Sequence, residues 1–219
     1  MRRSGRMDEN KMITIIGCGP GSAAHLTEEA RQRAGEADVM IGAQRLLDLF
    51  PRHGGEKIVE GVNIEKVIRE IEARRGAGNI AVLVSGDPGM CSLARPVIRH
   101  FGIASCRVVP GISSVQLAFA RVGLDWYGAK IVSAHAANPA EDFTPYRNED
   151  KIAVLGGRAE SAAWMRRLAS ALGGGRVLYV CENLGLPDEK VAAVNPEELN
   201  GMAVGSLAVF LLVRKDLVA

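Results

Sequence analysis

The sequence predicts an α/β protein: two α/β domains with mostly parallel or mixed sheets. Three observations carry this. From Met12 to Val213, short apolar runs alternate with stretches of helical spacing. Several of the apolar runs end in glycine-rich turns, as strands do when they lead into helices. A chain of 219 residues that is 47% hydrophobic and 24% charged has enough apolar material for one large core or two smaller ones, and too much for disorder.

The elements follow in order. Met1–Asn10 is polar and expected to fray. Met12–Ile16 is apolar apart from Thr14 and reads as a buried strand. Thr27–Ala34 reads as a helix capped by Thr27. Asp38–Ile41 is a short strand. Asn63–Arg75 places Ile64, Val67, Ile68 and Ile71 at helical spacing behind an Asn63 cap. Ile80–Val84 is a strand, Leu93–His100 a helix, Cys106–Val109 a strand and Ser113–Arg121 a helix. In the second half Lys130–Ser133 and Ile152–Leu155 read as strands. Ala159–Leu172 is a helix stopped by Gly173-Gly174-Gly175. Arg176–Cys181 and Leu207–Val213 are strands, and Val191–Val194 is a further one with a hairpin-like partner. Gly123–Ala129 is the best boundary, which divides the chain into domains at 11–124 and 125–219 with no linker between them.

Composition narrows the function. A net charge of +2 gives no general case for nucleic acid or membrane surfaces. Met1–Arg6 is basic but has no apolar stretch behind it, so no signal peptide is expected. No run reaches the roughly 18 apolar residues of a membrane span. The cysteines, Cys18, Cys91, Cys106 and Cys181, form no CxxC pair and share no metal spacing with histidine. Neither a disulfide scaffold nor a metal site is expected, and a cytoplasmic enzyme is the leading class. His25, His53 and His100 show no partner pattern.

Gly17-Cys18-Gly19-Pro20-Gly21 follows the first strand but is not a dinucleotide fingerprint. Ser22 stands where the third glycine is needed, and Ile41-Gly42 ends the second strand without the acidic residue that a ribose requires. No glycine loop is followed by GKS or GKT, and no GxSxG is present. Ser85-Gly86-Asp87-Pro88-Gly89-Met90 and Val109-Pro110-Gly111-Ile112-Ser113-Ser114 both sit at strand carboxyl ends, where open α/β sheets bind ligands. Asp87 either caps the next helix or faces a ligand amine or hydroxyl. His135, at another strand end, and Glu182-Asn183-Leu184 are further candidates for a site edge or for plain turn chemistry.

Together, Ile15-Ile16-Gly17-Cys18-Gly19-Pro20-Gly21, Val84-Ser85-Gly86-Asp87-Pro88 and Val109-Pro110-Gly111-Ile112-Ser113-Ser114 resemble the tetrapyrrole (corrin/porphyrin) methylase family. The segments 41–47, 114–126, 133–135 and 182–189 are similar to those members that methylate C5 of a corrin precursor. Ala136 departs from the pattern, which has glycine after the histidine.

The resemblance implies two α/β domains with S-adenosyl-L-methionine in a cleft between them, and a homodimer. It places Gly86, Asp87, Met90, Ser113, Ser114, Leu155, Gly156, Leu184 and Ser206 around that cofactor. Gly19 and Pro20 are implied on the tetrapyrrole side. Arg45 and Arg121 are candidates for the substrate's carboxylates, since arginine pairs with them bidentately. His135 is the candidate acceptor for the proton lost after methylation. Residues beyond the last strand leave no room for a second module, so one methylation at C5 is expected. A C15-methylation and a decarboxylation would then fall to a separate protein. Two alternatives stay open: a family member acting on another carbon or macrocycle, and a non-catalytic nucleotide-binding α/β protein.

Overall fold

In the first half, strand residues alternate between two apolar faces. Ile13 and Ile15 of β1 (Ile13–Gly17), with Ile80, Val82 and Val84 of β4 (Ile80–Val84), enter one core. Ile16, Ala81 and Leu83 enter another. A sheet apolar on both faces must be covered on both, and helices do this. The computed structural model describes residues 12–61 and 63–218, so the expectation for Met1–Asn10 lies outside the described residues.

The chain divides into two units between Ser113 and Ser114. In the first, β1 is followed by α1 (Glu28–Gly35), β2 (Val39–Gly42), α2 (Gln44–Leu47) and β3 (Glu56–Val59). Then come α3 (Ile64–Arg74), β4, α4 (Ala94–Phe101) and β5 (Cys106–Val109). The sheet order is β3-β2-β4-β1-β5, and every pairing is parallel. Val67 and Ile71 of α3 and Val97 of α4 pack on one face, and Ala30 and Ala34 of α1 with Leu46 and Leu47 of α2 on the other. Thr27 and Asn63 cap as expected: Thr27 Oγ1 accepts the Ala30 N–H at 3.1 Å and Asn63 Oδ1 that of Lys66 at 3.0 Å. The pattern missed α2 and β3; both are four residues long, too short to show a period.

The second unit runs α5 (Ser114–Arg121), β6 (Lys130–Ser133), β7 (Lys151–Leu155), α6 (Ala159–Leu172), β8 (Arg176–Glu182), β9 (Lys190–Val194) and β10 (Ala208–Arg214). Its order is β6-β7-β10-β8-β9. Only β6 and β7 pair parallel; the other three pairings are antiparallel, so this sheet is mixed. No helix of α type separates β8 from β9, so that pair closes as a hairpin, and β10 then runs back between β7 and β8, antiparallel to both. Trp164, Met165 and Leu168 of α6 pack on Ile152, Val154, Leu178, Val180, Phe210 and Leu212. Helix α5 packs on β10 and belongs to this unit, whereas a boundary at 124/125 sets it in the first. No helix among the described residues is long and apolar enough to cross a membrane.

Candidate functional site

Strands β4, β1 and β5 are neighbours, so their carboxyl-end loops meet at one edge of the first sheet. They are knitted through backbone. Gly86 N donates to Gly19 O at 2.6 Å and Gly19 N to Gly86 O at 3.2 Å. Approach this close requires glycine. A Cβ on Gly17 would lie 2.7 Å from Gly111 N and 2.8 Å from Gly86 O. Gly19 takes φ +61° and Gly86 φ +67°, a region L side chains avoid.

Asp87 joins the β4 and β5 loops. Its Oδ1 accepts the Gly89 N–H at 2.8 Å and its Oδ2 the Gly111 N–H at 3.1 Å. It does not cap the next helix, because α4 starts only at Ala94 with Leu93 at its cap position. Both oxygens serve the turn instead. Met90 is half-buried, with its N–H on Asp87 O at 3.0 Å, and Ser113 is buried at the end of the β5 loop.

Arg45, on α2, reaches across the β1 and β4 loops. It donates to Pro20 O at 3.3 Å and to Ser85 Oγ. Both partners are neutral, and among the described residues no carboxylate lies within ion-pair distance of it. Burial lowers its pKa, and the neighbouring Cys18 works against that. A half-buried guanidinium with no carboxylate beside it among the described residues, at the carboxyl end of a parallel sheet, is suited to an anion. Burial pushes the Cys18 thiol up to about 12, outweighing the Arg45 charge and the Val84 backbone bond, so it stays protonated at neutral pH.

In the second unit, His135, Leu155, Gly156 and Ser206 come together where β7 ends and β10 begins. Ala134 N donates to Leu155 O at 2.9 Å, and His135 Nδ1 lies 3.0 Å from Gly156 O. A carbonyl only accepts, so Nδ1 carries the proton, and in the neutral ring Nε2 keeps its lone pair. Gly157, at φ +106°, brings its backbone so close that a Cβ would lie 2.5 Å from Ser206 O and 3.1 Å from His135 Nδ1. Sequence reasoning passed over this glycine. Gly156 is hindered by a side chain instead, with Phe210 2.6 Å from where a Cβ would stand. Ala136 uses its carbonyl to accept from Arg158 Nη1 at 3.0 Å.

Ser114 opens α5 and Arg121 ends it. Arg121 is engaged: Nε donates to Glu189 Oε1 at 2.5 Å and Nη2 to Oε2 at 3.2 Å. The Leu184 side chain is core, at 2% exposure, which leaves only its backbone to face a ligand. Two of the histidines that show no partner pattern in the sequence have partners in the fold. Ser22 Oγ lies 2.6 Å from His25 Nδ1, and Glu72 Oε1 lies 2.8 Å from His100 Nε2. The first pair closes within a turn and the second between helices, neither of which spacing reveals. No group of three His, Cys, Asp or Glu among the described residues is placed to hold a metal ion.

A family model for tetrapyrrole (corrin/porphyrin) methylases matches residues 12–200. The chain belongs to the tetrapyrrole methylase family. It is 34% identical over 200 residues to the cobalt-precorrin-7 C(5)-methyltransferase of Salmonella typhimurium, covering 88% of this chain and 98% of that protein. Among solved structures, the precorrin-6Y methylase of Archaeoglobus fulgidus is 25% identical with a TM-score of 0.74, covering 94% of this chain and 99% of that one. The uroporphyrin-III C-methyltransferase of Thermus thermophilus, solved with S-adenosyl homocysteine, has a TM-score of 0.75 at 23% identity and covers 92% and 97%; it shows likeness of fold.

Proposed function

We propose that the chain is an S-adenosyl-L-methionine-dependent methyltransferase of corrin (cobalamin) biosynthesis that methylates C5 of a precorrin-7-type tetrapyrrole. The observation that carries this is the 34% identity to a C(5)-methyltransferase of which the match covers 98%.

The residues present fit such a cofactor. It carries an ammonium, a carboxylate and a sulfonium beside ribose and adenine, and most of these polar groups are served by backbone groups and hydroxyls. The glycine cradle of 17, 86 and 111, the Ser113 hydroxyl and the close backbone of Gly156 and Gly157 are such groups. Gly86, Asp87, Met90, Ser113 and Ser114 would hold its methionine part, with Leu155, Gly156, Ser206 and the Leu184 backbone on the adenosine. When bound, the cofactor supplies a methyl group already activated on a sulfonium.

The protein's own work is then mostly alignment. Asp87 fixes two loops against each other, so the first-unit residues are ordered in advance. Arg45 would take a carboxylate of the tetrapyrrole, beside Gly19 and Pro20. His135 Nε2 would accept the proton that leaves the methylated carbon. Protonated Cys18 offers no thiolate to compete for the methyl group. Arg121 is already bound by Glu189, which makes Arg45 the stronger of the two arginines for substrate. We further place the enzyme in the cytoplasm as a homodimer, with C15-methylation and decarboxylation left to a separate protein.

The test is turnover of precorrin-7 or its cobalt form with labelled cofactor in the presence of a chelator. The expected product is heavier by one methyl group, assigned to C5 by carbon NMR. A methyl on another carbon, or no reaction, would refute the proposed specificity. Two variants probe the parts. Asp87→Ala leaves the Gly89 and Gly111 N–H groups unpaired and should weaken S-adenosylhomocysteine binding by about 1.5–3 kcal/mol. Calorimetry reads that loss; unaltered affinity would remove Asp87 from the site. Arg45→Lys keeps the charge but loses the fork, so the tetrapyrrole KM should rise roughly tenfold or more while cofactor affinity holds. An unchanged KM would show that the carboxylate is bound elsewhere.

A further inference from the structure

The turn after β8 has two residues in left-handed backbone, an asparagine and a glycine. Asn183 has φ +50°, one of two non-glycine residues with positive φ among those described, and Gly185 has φ +75°. Asparagine and glycine tolerate this region, but the turn keeps one shape there only when partners hold it. Here two carboxylates do so. Asp188 Oδ2 accepts from Asn183 Nδ2 at 2.6 Å. Glu189 Oε2 accepts the Gly185 N–H at 2.5 Å. The turn closes with Leu186 N on Asn183 O at 2.9 Å and Glu189 N on Leu186 O at 3.1 Å.

Glu189 does more than close the turn. The same carboxylate takes Arg121 in a two-pronged pair, so it ties the turn to the last residue of α5. At the start of the turn, Glu182 Oε1 accepts the Gly205 N–H at 2.8 Å and ties it to the segment that carries Ser206. Between these anchors sits Leu184, its side chain fixed in the core. The backbone of 183–185 is thus clamped from both ends and from below.

We propose that Glu189 is the positioning residue of this turn: its carboxylate holds the backbone of 183–185, left-handed at Asn183 and Gly185, in the shape that receives the adenosine end of the cofactor, and Arg121 serves as its anchor rather than as a substrate ligand. This rests on the methyltransferase reading above. Its consequence is a division of labour. Loss of Glu189 damages cofactor binding and leaves the transfer step intact once the cofactor is held.

The test compares Glu189→Ala, Glu189→Gln and Arg121→Gln with the wild type, by calorimetry with S-adenosylhomocysteine, steady-state kinetics and thermal melts. Glu189→Ala should weaken binding and raise the cofactor KM roughly tenfold, the size of a lost charge-assisted hydrogen bond, with kcat at saturation within about twofold. Glutamine keeps an acceptor for Gly185, so Glu189→Gln should recover most of that loss. Arg121→Gln should weaken cofactor binding by about threefold and leave the tetrapyrrole KM unchanged. Wild-type-like binding by Glu189→Ala overturns the proposal, as does an equal fall in kcat that glutamine fails to rescue. If the alanine variant does not fold, the glutamine and Arg121 variants decide between the same outcomes. A wild type that binds no S-adenosylhomocysteine would instead overturn the methyltransferase reading itself.

Discussion

Gly111→Ala should severely weaken cofactor binding while leaving most of the first sheet intact. The added Cβ would sit against Gly86 O, 2.7 Å from Gly17 O and 2.8 Å from Gly17 C. All three obstacles are backbone, and they come from the β1 and β4 loops, so no side chain can swing aside. Gly111 is not at positive φ, so the penalty is steric rather than torsional. Overpacking of this kind costs about 3 kcal/mol when nothing yields. The strain can be relieved only by parting the loops, which also lengthens the bond from Gly111 N to Asp87. S-adenosylhomocysteine affinity should fall by roughly a hundredfold or more. Gly174→Ala is the control, since nothing lies within 4 Å of a Cβ there. Full-affinity binding by Gly111→Ala would mean that the three loops have slack and that their knitting does not shape the site.

This interlock also marks the limit of what the sequence could reveal. The strands carrying the loops were legible because buried parallel strands read as apolar runs, and β4 and β5 fall where the pattern puts them. The loops stand out because glycines cluster after three apolar runs, at 17–21, 86–89 and 111. What could not be read was which loop touches which. The sequence allows Asp87 to be a helix cap or a ligand contact, but its partners include Gly111, far along the chain and adjacent only because β4 and β5 flank β1. Arg121 carried the same ambiguity. A helix-end arginine in a motif looks like a substrate ligand until folding brings Glu189 to it from the β8–β9 turn. The mixed second sheet was half legible. The hairpin partner of Val191–Val194 was foreseen, yet the direction of β10 depends on connections too irregular to show a period. Gly157 escaped because its neighbours His135 and Ser206 come from opposite ends of the second half.

Trp164→Ala should cost the second unit about 3–5 kcal/mol, the range for deleting a large buried aromatic. Trp164 is fully buried at the centre of the α6 face, among Ile152, Val154, Leu178 and Phe210. Its indole N–H donates to Ala140 O at 3.3 Å. Phe143 and Tyr146 meet it edge-on, with ring centroids 5.7 and 5.9 Å away. Alanine removes the rings' shared partner and leaves a cavity that three separate segments line. The Ala140 carbonyl also loses its donor, a smaller loss because Ala140 is exposed to water. Against a total stability of about 5–15 kcal/mol, a loss of this size leaves little reserve. It should appear as faster amide exchange in the central pairings of β7 and β10, Ala153 with Leu211 and Ile152 with Leu212, by roughly a hundred- to a thousandfold. Trp164→Phe keeps a ring in the cavity and should recover more than half of the loss, because the packing term exceeds the single hydrogen bond. If phenylalanine proves as damaging as alanine, the hydrogen bond to Ala140 and not the aromatic cluster is what holds α6 to the sheet.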